Sequence, residues 1–191
     1  MPRRTSHYLA AIATLGLVST AGAVTVHDES SDGDLSGAFA SPTVLTFSEG
    51  ANTIIGSTGT TGGSGATNGS DADYFTFNLA TGLGIDSIVV DSYTSTGNAG
   101  DSAFVGHVAS NSFTGQAIGD VDSFMLFNNT TPDLFNITPL GDGDQAIWIQ
   151  QTSNGVWEYQ LTFNVIPEPS ALGLLLGGAA LTAFLRRERL G

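Results

Sequence analysis

Trp157-Glu158-Tyr159-Gln160-Leu161-Thr162-Phe163-Asn164-Val165 is the stretch that decides the fold. Its odd positions are apolar and its even positions polar. This strict period of two predicts a strand with one face against a core. The pattern recurs upstream, where Phe75, Phe77 and Leu79 alternate with Tyr74, Thr76 and Asn78. Further strands are expected near 43–48, 52–56, 85–93, 102–109, 123–128, 134–138 and 145–151, punctuated by Gly, Asn, Asp and Pro. No segment of this middle carries a sustained 3.6-residue period. The expectation is an all-β domain, an antiparallel β-sandwich or jelly roll of about nine strands.

Parity also predicts how the last two strands meet. A two-residue turn at Asn154-Gly155 would set Ile147 and Ile149 opposite Thr162 and Gln160, placing aliphatics on a polar face. A three-residue loop, Ser153–Gly155 with Gly155 left-handed, sets them opposite Leu161 and Tyr159 instead. The loop is therefore expected, with Trp148 on the outer face beside Gln160 and Thr162.

Charge is distributed unusually. Between Val24 and Ile166 there is no Lys or Arg, while 16 of the 18 acidic residues lie there, Glu168 and Glu188 being the other two. Nothing in this body can neutralise phosphates, which excludes nucleic acid as a main partner. Eleven Phe and two Trp argue against disorder. Residues 24–166 suffice for one domain, in which 24–40 is expected to be flexible. Gly56–Ser70 reads as a flexible surface loop; it lacks the Lys of a phosphate-binding loop. The absence of cysteine does not decide the compartment.

The ends do. Residues 1–23 have the form of a signal peptide: Arg3 and Arg4, an apolar run from Leu9 to Val18, then Ala21-Gly22-Ala23 as a signal-peptidase site. A second apolar helix is expected at 171–185. It would span about 22 Å against a hydrocarbon core of roughly 30 Å. Arg186, Arg187 and Arg189 follow as a stop-transfer cluster that stays cytoplasmic, leaving residues 24–166 outside.

Val165-Ile166-Pro167-Glu168-Pro169-Ser170, then that helix, then the arginines, resembles the PEP-CTERM sorting tail over residues 165–191. Glu188 and Leu190-Gly191 dilute the usual Arg run. The resemblance implies transient anchoring in the inner membrane and cleavage near Pro167, Glu168 and Pro169 by exosortase, a membrane-embedded cysteine protease. Release or transfer to the cell surface follows, in bacteria that make exopolysaccharide and biofilm matrix. Residues 71–79, 143–149 and 157–163 together resemble the bacterial pre-peptidase C-terminal (PPC) β-sandwich. That likeness implies an accessory module and no catalysis.

The chemistry of the body is sparse. It has two histidines, and it contains neither a Gly-x-Ser-x-Gly elbow nor a His-Glu-x-x-His zinc motif. His27 falls in the part expected to be flexible. His107, between Val105 and Val108, reads as a structural strand residue. No enzyme is expected. Four Asp-x-Asp pairs occur, Asp32/Asp34, Asp71/Asp73, Asp120/Asp122 and Asp142/Asp144. Asp favours turns for local reasons, and acidic surfaces aid solubility. Paired Asp on turns also supply the oxygens that calcium takes, though no EF-hand loop is matched. Asp71, Asp73, Asp142 and Asp144 flank the best-defined strands and are the candidate calcium ligands. Two roles remain open. One is a non-catalytic component of the cell surface or matrix. The other is a calcium-assisted carbohydrate-binding module, with Trp148 stacking on a polysaccharide ring.

Overall fold

The computed structural model describes residues 22–59, 71–96, 101–152 and 155–168. The expected signal peptide up to residue 21, most of the Gly-rich loop, Ser153-Asn154, and the tail from Pro169 with its helix and arginines lie outside them. Among the described residues no helix is long and apolar enough to cross a membrane.

The protein is all-β, built as a β-sandwich of two mixed sheets. In chain order the elements are β1 (Val24–Asp28), α1 (Glu29–Asp32), β2 (Thr43–Val44), β3 (Gly50–Gly59), β4 (Ala72–Leu79), β5 (Leu83–Ser95), β6 (Ala103–Val108), β7 (Ser123–Phe127), β8 (Gly143–Gln151) and β9 (Val156–Pro167). The first sheet has the order β1-β3-β9-β5 and the second β2-β4-β8-β6-β7.

Alternation in β9 does what its sequence requires. Trp157, Tyr159, Leu161, Phe163 and Val165 are all buried, and they face Phe75, Phe77, Leu79, Ile147 and Ile149 of the second sheet in one core. Phe163 meets Phe75 and Phe77 edge-on, and Phe47 stacks on Phe77 with centroids 4.2 Å apart. The outer face of the first sheet is polar: Thr53 bonds Thr162 at 2.9 Å, and Asn164 donates to Ser87 at 2.9 Å. The outer face of the second is not, for Tyr74, Phe104, Phe113, Ala146 and Trp148 form a separate apolar cluster there. β4 is therefore buried on both faces along most of its length.

Four expectations need correction. The sheets are not purely antiparallel, because edge strands β1 and β2 run parallel to β3 and β4. Residues 24–40, expected to be flexible, contribute β1 and α1, and Leu35 is fully buried. Residues 134–138 form no strand. Leu134 accepts from Ile137 and Thr138 in a turn that buries Leu134 and Ile137, flanked by single bridges from Asp133 and Leu140 to β5. That segment satisfies backbone groups along the β5 edge without a continuous ladder.

The fourth concerns the last connection. Gly155 has a positive φ of 141° as expected, but β8 and β9 do not pair. Ile147 lies beside Phe75 and His107, whereas Leu161 lies beside Ile54 and Val90. Parity gives the faces of these strands and does not give their neighbours. Two apolar rows that meet across a sandwich satisfy the same parity as two rows side by side in a hairpin. Trp148 consequently lies on the opposite outer face of the molecule from Gln160 and Thr162.

Phe163→Ala should destabilise the fold by about 3–5 kcal/mol in chemical denaturation, because the ring is fully enclosed. Ile166→Ala, on the exposed end of the same strand, should change stability by less than about 0.5 kcal/mol.

Candidate functional site

The row that carries Phe75, Phe77 and Leu79 into the core continues backwards through Asp73 to Asp71. By the same parity these two side chains turn towards the space between the sheets, and both are buried, Asp71 to 1% exposure and Asp73 to 0%. Asp73 sits beside Ile149 in the ladder. Across the sandwich, the Tyr159 hydroxyl donates to Asp73 Oδ2 at 2.6 Å. Tyr159 reaches this position because its β3 neighbour is Gly56, where a Cβ would overlap the phenol ring.

The N-terminal segment adds two more carboxylates. Asp28 caps α1 by accepting from Ser30 N at 3.0 Å, which starts the turn that points Glu29 inward. Glu29 Oε2 accepts from Ser57 N at 2.7 Å and Ser57 Oγ at 3.0 Å, and Oε1 accepts from Leu35 N at 3.1 Å. Glu29 thus serves the β3 backbone just past the point where β1 stops pairing with it. Asp34 follows at the end of the same segment. One carboxylate oxygen each from Glu29, Asp34 and Asp73 lie within 4.8 Å of one another.

Several oxygens of this cluster are buried with no hydrogen-bond partner among the described residues: Asp34 Oδ1, both oxygens of Asp71, and Asp73 Oδ1. Burial raises all four carboxyls. It pushes Asp71 up to about 7, helped by the charges of Asp34 and Glu29. It holds Asp73 well above the usual carboxylate range, Glu29 adding to the effect and the Tyr159 hydrogen bond opposing it. Glu29 is raised by burial against three hydrogen bonds, and Asp34 by burial against the charge of His27. A cluster of this kind holds protons or a cation at neutral pH. Its donors are hard oxygens. One side borders an open concavity of about 470 Å³ lined by Asp28, Glu29, Ser30, Ser57, Glu158 and Tyr159.

The other expected site residues lie apart from it. Asp142 and Asp144 are exposed on the β4–β8 side, where Asp144 accepts from Asn78 at 2.6 Å and Asp142 from Gly82 N at 3.4 Å. Asp120 and Asp122 accept from the backbone amides of Ala117 and Ala109 at 2.9 and 2.8 Å. Asp32 accepts from Asp28 N at 2.9 Å. Asp32, Asp120 and Asp122 thus serve local or loop backbone, while Asp142 and Asp144 tie the start of β8 to the end of β4. Trp148 is on an outer face as expected but is not an open platform. It is 5% exposed, enclosed by Tyr74 and Phe104. His27 is not in a flexible end, since its Nε2 contacts Gly33 O at 2.9 Å within β1. His107 is buried with Nε2 2.7 Å from Gln145 Oε1, and burial lowers its pKa below 6.5.

Extending the apolar parity of β4 by two residues would have placed Asp71 and Asp73 on the inner face from sequence. No local signal marks Glu29, because a parallel edge pairing brings it to β3.

Neither the scan against protein-family models nor the search of curated proteins found a match for this chain.

Tyr159→Phe removes the only donor the structure gives Asp73 among the described residues, and should cost about 1–3 kcal/mol in denaturation at neutral pH. For His107, a lowered folded pKa means that its contribution is present above about 6.5 and is lost as pH falls through the folded value. Its imidazole resonances should titrate with a midpoint below 6.5; a midpoint above that value would contradict the buried, neutral ring.

Proposed function

We propose that the protein is exported, cut by signal peptidase after Ala23 and by exosortase near Pro167-Glu168-Pro169, and acts as a non-catalytic component of the cell surface or of the biofilm exopolysaccharide matrix. Between the two cuts the segment at 171–185 holds it transiently in the inner membrane. One observation carries this reading. β1 begins at Val24 and β9 runs to Pro167, so the strands extend from the first cut point to the start of the second motif. Processing would release the sandwich without removing a strand from it.

The chemistry of the body supports a non-catalytic role. It holds no Cys, Lys or Arg, and each of its two histidines is engaged with a neighbouring carbonyl-type oxygen. The first sheet presents hydroxyl, amide and carboxylate groups bonded to one another, such as Thr94 to Glu158 at 3.2 Å, a hydrated face suited to a matrix.

The carbohydrate-binding alternative rests on a different residue from Trp148. Phe124 is 45% exposed, stacks on Phe104, and follows Asp122 closely in the chain. Under that reading Phe124→Ala would abolish retention on the host's exopolysaccharide without affecting folding.

Mass spectrometry of the mature protein from its native host should find an N-terminus at Val24 and a C-terminus near Pro167–Pro169. Recovery of intact Arg186–Gly191 from the cell surface would contradict the proposal.

A further inference from the structure

We infer that Glu29, Asp34, Asp71 and Asp73 bind one divalent cation, with calcium the best fit, and that this ion latches the N-terminal segment Val24–Ser36 onto the sandwich.

Acidic residues in proximity do not make a site; the surroundings of these distinguish them. Asp71 is almost fully buried with both oxygens unpartnered among the described residues, and Asp73 is fully buried with Oδ1 in the same condition. Buried polar atoms are nearly always hydrogen-bonded, and buried carboxylates are paired or hold metal. The body has no Lys or Arg to pair with them. Glu29 and one oxygen of Asp73 accept hydrogen bonds, but leaving the other oxygens of Asp34, Asp71 and Asp73 together without compensation is costly.

Size and donor type point to calcium. Calcium takes six to eight oxygens at about 2.3–2.6 Å, so two oxygens on one ion lie at most roughly 5 Å apart. The oxygens of Glu29, Asp34 and Asp73 fall within that limit. Asp71 is outside that group of three but feels the charges of Asp34 and Glu29 and carries two buried, unpartnered oxygens, so it is assigned as the fourth ligand. Magnesium retains several waters and strict octahedral geometry, which a buried carboxylate cluster accommodates poorly. An open concavity lined by Glu29 and Tyr159 adjoins the cluster on its Glu29 side.

The ligands come from two parts of the chain. Glu29 and Asp34 belong to the segment around α1 on the first sheet's edge, and Asp71 and Asp73 to the start of β4 in the second sheet. An ion between them would join an edge strand to the opposite sheet. Removing it would leave like charges facing one another across that junction.

The test uses the full chain, purified in detergent, stripped with EGTA and dialysed. Terbium, excited through the nearby Trp157 and Tyr159, should bind at one ion per chain and be displaced by calcium well before magnesium. Saturating calcium, about a hundredfold above its dissociation constant, should raise the melting midpoint by roughly 5–10 °C. NaCl of matched ionic strength should not. Hydrogen exchange in Val24–Ser36 should slow on adding calcium. Asp73→Asn and Asp71→Asn should weaken calcium by at least about tenfold, while Asp142→Asn with Asp144→Asn should leave it unchanged. Where an inner-face variant does not fold, Glu29→Gln and Asp34→Asn carry the comparison. Equal melting shifts in calcium and matched NaCl, calcium affinity unchanged in Asp71→Asn and Glu29→Gln, or exchange in Val24–Ser36 indifferent to calcium would each overturn the assignment.

Discussion

The structure depends on how a body with no Lys or Arg between Val24 and Ile166 deals with carboxylates that face its own core. Asp73 projects from β4 along the row that carries Phe75 and Phe77, and the Tyr159 hydroxyl reaches it from the opposite sheet. That single hydrogen bond crosses the sandwich where the apolar core gives way to acid. Around it Glu29 ties α1 to β3, and Gly56 leaves the room that the phenol occupies. The N-terminal segment, the two sheets and the start of β4 are thus organised around one electrostatic problem. Further along the core His107 and Gln145 form a neutral polar pair that needs no ion. The contrast is chemical: an amide and an imidazole satisfy each other, whereas carboxylates satisfy only donors or cations.

Much of this architecture is written in local pattern. The β9 alternation marks its buried face residue by residue, and the burial of Trp157, Tyr159, Leu161, Phe163 and Val165 follows it. What pattern cannot carry is partnership. Ile147 and Leu161 share a core but not a ladder, because parity describes which side a residue faces and says nothing of whether its neighbour lies beside it or across from it. The 134–138 segment shows the same limit: Leu134 and Ile137 are apolar and buried, yet a turn buries them as well as a strand would. Edge strand β1 was illegible because its sequence is short and its partner, β3, is reached by a parallel pairing.

The site was half legible for a related reason. Asp71 and Asp73 stand out as a pair, and their position ahead of a clear strand suggested order. Asp142 and Asp144 looked equivalent by those criteria. They differ in side of the sheet and in exposure, which only the three-dimensional arrangement separates: Asp144 takes an amide from Asn78 at the surface, while Asp73 lies inside. Trp148 shows the converse. It was placed on the correct face, but Phe113, from a loop with no periodicity, covers the apolar patch to which it belongs.

β9 is the last strand among the described residues yet occupies an interior place in its sheet, with β3 on one side and β5 on the other. The first sheet therefore has no centre until β9 is in place. β3 and β5 must wait, unjoined, for a partner more than sixty residues downstream of the end of β5. Such a topology puts the closing step late and makes it depend on a distant segment. A polypeptide threaded end-first through a narrow conduit would stay open and pliable for most of its passage. It would shut only when β9 came free.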